Sequence, residues 1–230
     1  MTDEGRLLYD HVSEAFEALN EGEEKLKRSI ELGVGQLKIG VSSTLCKYML
    51  LPYLKEFIHR NPHISISIEC QSTNETLKLL DDDKIDIGLI GKPASLKTFN
   101  FYYLDNIEDI FVTTKDYLRN LSARGVKKSE ILQNSTLMLL DKGNMTRKYI
   151  DDYLQENQIH VKDSIDISNM DLLIDFAKIG VGVACVIKSI VSKELADGTL
   201  IEIPLGIPIH KREVGFAYKE SSKLSTSLQT

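Results

Sequence analysis

The chain has 230 residues, 42% hydrophobic and 27% charged, enough to bury the core of one large domain or two small ones. Its formal net charge of −6 and pI near 5.5 weigh against a basic nucleic-acid-binding surface on this polypeptide. Cys46, Cys70 and Cys185 are odd in number and far apart in sequence, which fits a reducing compartment rather than a disulfide framework. No signal peptide and no bilayer-length apolar run is visible, so a cytoplasmic location without membrane contact is expected.

Residues 3 to 31 read as one long helix. Leu8, Val12, Ala15, Leu19, Gly22, Leu26 and Ser29 alternate by four and three, a heptad seam set among charges. A helix with one apolar seam and no core of its own pairs with another helix; the bland alternative is a helix lying on its own domain. Gly33 and Gly35 then break the helix.

From residue 35 to 91 the apolar spacing switches between period two and period 3.6 four times, giving strand, helix, strand, helix, strand. Such units build a parallel sheet with covered faces, and ligands bind beyond the carboxyl ends of its strands. Leu37 to Val41 is the first strand. Ser42-Ser43-Thr44 follow as N-cap candidates. Pro52 either opens a second helical segment at its first turn or kinks a longer helix, and Asn61-Pro62 stops it. Ile64, Ile66 and Ile68 alternate with polar residues as an edge strand, and Cys70 continues them as a buried strand residue. Ser72 and Glu75 have the spacing of a capping box. Ile85 to Ile90 is the third strand.

A second α/β unit spans residues 94 to 203. Its strands are 101–104, 109–113, 136–140, 164–167, 181–187 and 199–203. Its helices are 143–157, with Met145, Tyr149, Tyr153, Ile150 and Leu154 as the apolar face, and 169–178, with Leu172, Leu173, Phe176 and Ala177 inward. Gly180 closes the latter, and Ile190 to Leu195 is a short helix. A strand at 213–218 follows, and 219–230 reads as the start of a last helix.

No catalytic or metal constellation stands out. The five histidines are scattered, Pro62 separates His59 from His63, and there is no H-E-x-x-H, G-x-S-x-G or P-loop. Gly180-Val-Gly182 reads as a helix stop before a buried strand. Neither a cofactor nor a metal site nor enzymatic activity is expected.

Gly35-x-Leu-x-Ile-Gly40, Leu50-Leu-Pro52 with Phe57, Asn61-Pro62, Ile85-Asp86-Ile87, Asn169-Met-Asp-Leu-Leu173 and Ala177-Lys-Ile-Gly-Val-Gly182 resemble the LysR-type transcriptional regulators, in order over nearly the whole chain. The resemblance implies two Rossmann-like subdomains with a cleft between them, the periplasmic-binding-protein-like fold, after a long linker helix. The expected division is 1–32 linker, 33–93 with 205–230 subdomain I, and 94–204 subdomain II. The implied function is sensing a small effector to control transcription; a free-standing solute-binding protein of the same fold is the alternative. The family's winged helix-turn-helix is not seen here, so promoter DNA is expected to be contacted only through a domain outside this chain.

A homodimer or tetramer is expected, through Leu8, Val12, Ala15 and Leu19 and, by resemblance, through the helix from Leu51 with the edge strand carrying Ile64 and Ile66. The effector site is expected from Ser43, Thr44 and Thr73 on one side and Asn144, Thr146, Ser168 and Asn169 on the other. These residues start helices, whose N-termini favour anions, so the expected effector is a small carboxylate, amino acid or similar anion.

Overall fold

The computed structural model describes residues 2–31, 35–93, 95–96 and 98–219. The expected helix at 219–230 therefore lies almost wholly outside the described residues. The first element, α1 (Asp3–Glu31), is the long helix the heptad predicts. Leu8, Val12 and Leu19 on its seam are 66%, 45% and 68% exposed, and Ala15 is exposed too, so these four seam residues do not lie on the chain's own core.

Ten strands form two five-stranded sheets among the described residues. The strands are β1 (Gly35–Val41), β2 (Ile64–Cys70), β3 (Ile87–Gly91), β4 (Asn100–Ile107), β5 (Asp109–Thr113), β6 (Thr136–Leu140), β7 (Asp163–Ile167), β8 (Val183–Ile187), β9 (Ile201–Glu202) and β10 (Arg212–Tyr218). The first sheet has the order β2-β1-β3-β10-β4 and the second β7-β6-β8-β5-β9. β1, β2 and β3 are parallel, and β10 runs antiparallel between β3 and β4. The chain thus crosses between sheets at Ile107–Asp109 and returns before Arg212. By hydrogen bonding, β4 belongs to the first sheet.

Between β1 and β2 the chain forms α2 (Ser43–Leu45), a π-helical turn at Cys46–Leu50 and α3 (Leu51–Arg60). Pro52 sits in the first turn of α3, but Cys46, Leu50 and Leu51 are all right-handed helical, so Ser43–Arg60 is one continuous helical run and the proline falls inside it, just after the π turn, as in the longer-helix alternative. Helix α4 (Thr73–Asp81) follows β2, and the Ser72–Glu75 capping box is formed. It packs closely because Gly40 and Gly88 are cross-strand partners beneath Thr76. A Cβ on either would come within 2.8 Å of the Thr76 methyl.

The second sheet carries α5 (Lys115–Ala123), α6 (Ile131–Asn134), α7 (Met145–Glu156), α8 (Met170–Lys178) and α9 (Ser192–Asp197). Gly180 ends α8 at φ +79, the left-handed conformation a glycine adopts without strain.

Two side-chain expectations need correction. On α8 the buried stripe is Met170, Leu173, Ile174 and Ala177, while Leu172 and Phe176 are 46% and 40% exposed. Asn169 caps the helix and sets its phase, and the i, i+3, i+4, i+7 stripe counted from Met170 faces the sheet. Cys70 is exposed rather than buried. It is the last residue of the edge strand β2, past the cover that half-buries Ile64, Ile66 and Ile68.

The largest apolar cluster runs from Ile39 and Val41 of the first sheet to Val112, Met138 and Val186 of the second. Two further clusters lie under α7 and under α4. No helix among the described residues is long and apolar enough to cross a membrane.

Candidate functional site

The carboxyl ends of β1, β2 and β3 face the second sheet across a narrow cavity of about 50 Å³. Its lining comes from Ser42, Thr44, Ser72 and Thr73 on one side and Asn144, Met145 and Thr146 on the other, with Ile107, Ile187 and Arg212 among the residues between. Of the residues singled out from sequence, the structure brings Thr44, Thr73, Asn144 and Thr146 together. Ser43, Ser168 and Asn169 are not among the lining residues. Ser43 and Ser168 are exposed, and Asn169 spends its side-chain oxygen on the Leu172 N–H at 2.9 Å.

Three helix starts meet at this cavity. The Ser42 hydroxyl accepts from the Leu45 N–H, that of Ser72 from the Glu75 N–H, and the Asn144 side-chain oxygen from the Thr146 N–H at 2.8 Å. Each cap satisfies one first-turn donor; the helix itself leaves the other first-turn donors without partners. The aligned peptide dipoles at these ends favour negative charge. Thr73 is 8% exposed and lines the cavity.

Sequence reasoning missed Arg212. As the first residue of β10 it reads as a strand end, and only the return of the chain to the first sheet carries it to the cavity. Its Nε and Nη2 donate to both oxygens of Asp109 at 2.7 and 2.9 Å, a bidentate pair in which the Asp109 side chain is fully buried. The guanidinium lies over the Tyr149 ring, 5.2 Å from its centre. Nη1 has no acceptor among the described residues, and a Cβ on Gly91 at the cavity wall would lie 3.7 Å from it. Gly91 and Arg212 both line the cavity.

Outside the cavity, Asp171 at the start of α8 accepts from Lys47 Nζ at 2.7 Å and from the Tyr48 hydroxyl at 2.5 Å. This carboxylate spans the two halves of the molecule. Its pKa is lowered, first by the hydrogen bond from Lys47 and then by that from Tyr48. A second cavity of about 210 Å³, lined by Tyr48, Met49, Tyr53, Asp105, Asn106 and Ser189, shares Thr44, Leu45, Ile107 and Ile187 with the first. Among the described residues no group of three or more His, Cys, Asp or Glu could hold a metal.

A family model described as the LysR substrate binding domain matches residues 31–230. An HTH-type transcriptional regulator of Escherichia coli K12, YeiE, is 23% identical over 230 residues, covering all of this chain and 76% of that protein. The transcriptional activator CmpR of Synechocystis is 24% identical, covering all of this chain and 75% of its own length. Among solved structures, the Synechocystis CcmR regulatory domain in complex with 2-PG superposes with a TM-score of 0.71 at 18% identity, over 85% of this chain and 92% of that one. Full-length OxyR of Pseudomonas aeruginosa gives 0.80 at 18% identity, over all of this chain and 78% of that one. These relatives are regulators of transcription and not enzymes, which favours the regulator over the free-standing solute-binding protein. The chain belongs to the LysR substrate-binding-domain family and is the effector-binding portion of a LysR-type transcriptional regulator.

Proposed function

We propose that the cavity between the two sheets binds a small anionic effector, a carboxylate, amino acid or similar anion. Thr44 and Thr73 would contact it from one side, and Asn144 and Thr146 from the other. The observation that carries this reading is the meeting of three helix N-termini with the open edge of Arg212 at one cavity. Asp109 takes Nε and Nη2 of Arg212 and offsets its charge, so Arg212 offers the cavity a directed Nη1–H donor rather than a free cation. The CcmR regulatory domain's complex with 2-PG supports a small-molecule effector for this fold.

As it stands the cavity has room for only a few waters. An effector therefore enters as the two lobes part, turning about the crossings at Ile107–Asp109 and before Arg212. The Asp171 bridge to Lys47 and Tyr48 is the contact such opening breaks. We further propose that the chain acts as a homodimer or tetramer through the α1 seam and the α3–β2 surface, in the cytoplasm, with promoter DNA contacted by a segment outside this chain.

A thermal-shift screen of small carboxylates and their uncharged amides, with free amino acids alongside, tests the effector class. A ligand at a hundred times its Kd adds about 2.7 kcal/mol of stability. Stabilisation by anions and not by the matching amides is expected; stabilisation confined to uncharged compounds would refute the reading.

A further inference from the structure

The second lobe carries a cavity of its own, of about 280 Å³, that shares no lining residue with the one between the sheets. Its apolar walls come from Ile131 and Leu132 of α6, from Ile159 after α7, and from Ile203, Leu205 and Ile207 on the segment that leaves β9. Ile131, Leu132 and Ile203 belong to the buried cluster under α7, and Ile159 and Leu205 pack against it. The cavity is therefore an inlet into the apolar core of this lobe.

Gln133 of α6 also lines this cavity, and its Oε1 is buried without a hydrogen-bond partner among the described residues. A buried acceptor left unpaired is costly, and such atoms are few in folded chains. Two of its polar neighbours in the lining are engaged elsewhere. The Tyr153 O–H donates to the Ile207 carbonyl at 2.5 Å, and Asn157 Nδ2 donates to the Tyr153 carbonyl at 2.8 Å. A water held firmly needs two to four polar partners, which isoleucine and leucine walls do not supply.

We propose that this cavity binds a small apolar molecule bearing one hydroxyl, a phenol or an alcohol of similar size, with the hydroxyl on the Gln133 amide and the apolar body against the isoleucine and leucine walls. Size sets the body. An apolar cavity of about 150 Å³ takes up benzene, so about 280 Å³ has room for a ring and a short alkyl chain. The amide sets the polar group. A hydroxyl donates to Oε1, and it accepts from Nε2 if the amide turns over. A carboxylate only accepts, and its charge would face the lone pairs of Oε1. Lys128, also in the lining, is exposed, so its ammonium stays in water at the mouth.

The place of the cavity links it to the rest of the fold. α7 runs from Asn144, at the inter-lobe cavity, to Tyr153, at this one. The Tyr149 and Tyr153 hydroxyls donate to the His210 and Ile207 carbonyls, and so tie α7 to the segment that leads back to Arg212. An occupant of the cavity touches both. The proposal does not depend on which effector binds between the lobes, and its test uses none.

The whole chain, labelled at its isoleucine methyls, is titrated with 4-ethylphenol, ethylbenzene and 4-ethylbenzoate and followed by NMR. 4-Ethylphenol is expected to shift the Ile131, Ile159, Ile203 and Ile207 methyls saturably and to leave Ile39 and Ile68 of the first sheet unmoved. It should bind roughly two- to tenfold more tightly than ethylbenzene, the range of one net hydrogen bond. In Gln133→Leu that preference should vanish while ethylbenzene still binds. If the variant does not fold, the shifted methyls and the ranking of the three probes in the parent chain decide alone. The proposal is overturned by no saturable shift, by shifts centred on Ile107 and Ile187 of the inter-lobe cavity, or by 4-ethylbenzoate or ethylbenzene binding as tightly as the phenol. A preference for the phenol that survives Gln133→Leu overturns it too.

Discussion

At the scale of single residues, charge pairing does two different tasks. Arg147, 6% exposed, donates to Asp151, Asp166 and the Leu140 carbonyl, and so fastens α7 to the strands beneath it. Asp171 instead joins the two halves. A carboxylate whose pKa is lowered by its partners contributes stability above its ordinary range and loses it as pH falls through the lowered value. Lys47 and Asp171 are about half exposed, so solvent screening keeps the bridge's contribution small. Asp171→Asn should accordingly lower the urea midpoint slightly at neutral pH. The difference from the parent chain should shrink towards zero once the pH is below the lowered carboxyl pKa; a gap that widens on acidification would contradict the assignment. Neither Arg147 nor Arg212 could be singled out from sequence, because their importance comes from acceptors 19 and 103 positions away.

Among the elements, what was legible followed from local rules. The capping box at Ser72 and Glu75, the stop at Gly180 and the alternation of Ile64, Ile66 and Ile68 each act within a few residues, so the chain states them directly. The helix α5 passed unassigned because its face is mostly polar; Leu121 is its buried residue. On α8 two apolar stripes were present, and the Asn169 cap, together with the sheet it packs on, decided between them. The site was half legible for the same reason. Thr44, Thr73, Asn144 and Thr146 announce themselves as helix starts, but Asn169 has the same signature and caps a helix that opens elsewhere. The cap reading of Ser72 has its own check. Ser72→Ala should cost about 1 kcal/mol by loss of the bond to the Glu75 N–H. Chemical denaturation measures it, and an unchanged midpoint would mean the box contributes nothing.

For the whole molecule, two sheets are joined by two crossings and share one apolar cluster, which the proposed opening has to part between the lobes. The exposed seam on α1 is a separate matter of assembly. Leu8 and Leu19 expose most of their side chains to water in a single chain, and a second copy of the helix would cover them. Leu8→Asp with Leu19→Asp should shift light-scattering mass towards the monomer; a parent chain already monomeric at high concentration would remove the basis of the dimer proposal.

Anion sensing in the cavity is tested most directly by calorimetric titration of the best anionic ligand into the parent chain and into Thr73→Val. Loss of a hydroxyl that contacts the ligand leaves a buried polar partner unpaired, at a cost of about 1–3 kcal/mol, or five- to more than a hundredfold in Kd. The account predicts that loss of affinity with only a modest fall in melting temperature. A variant that melts lower yet binds the ligand as tightly as the parent would contradict it.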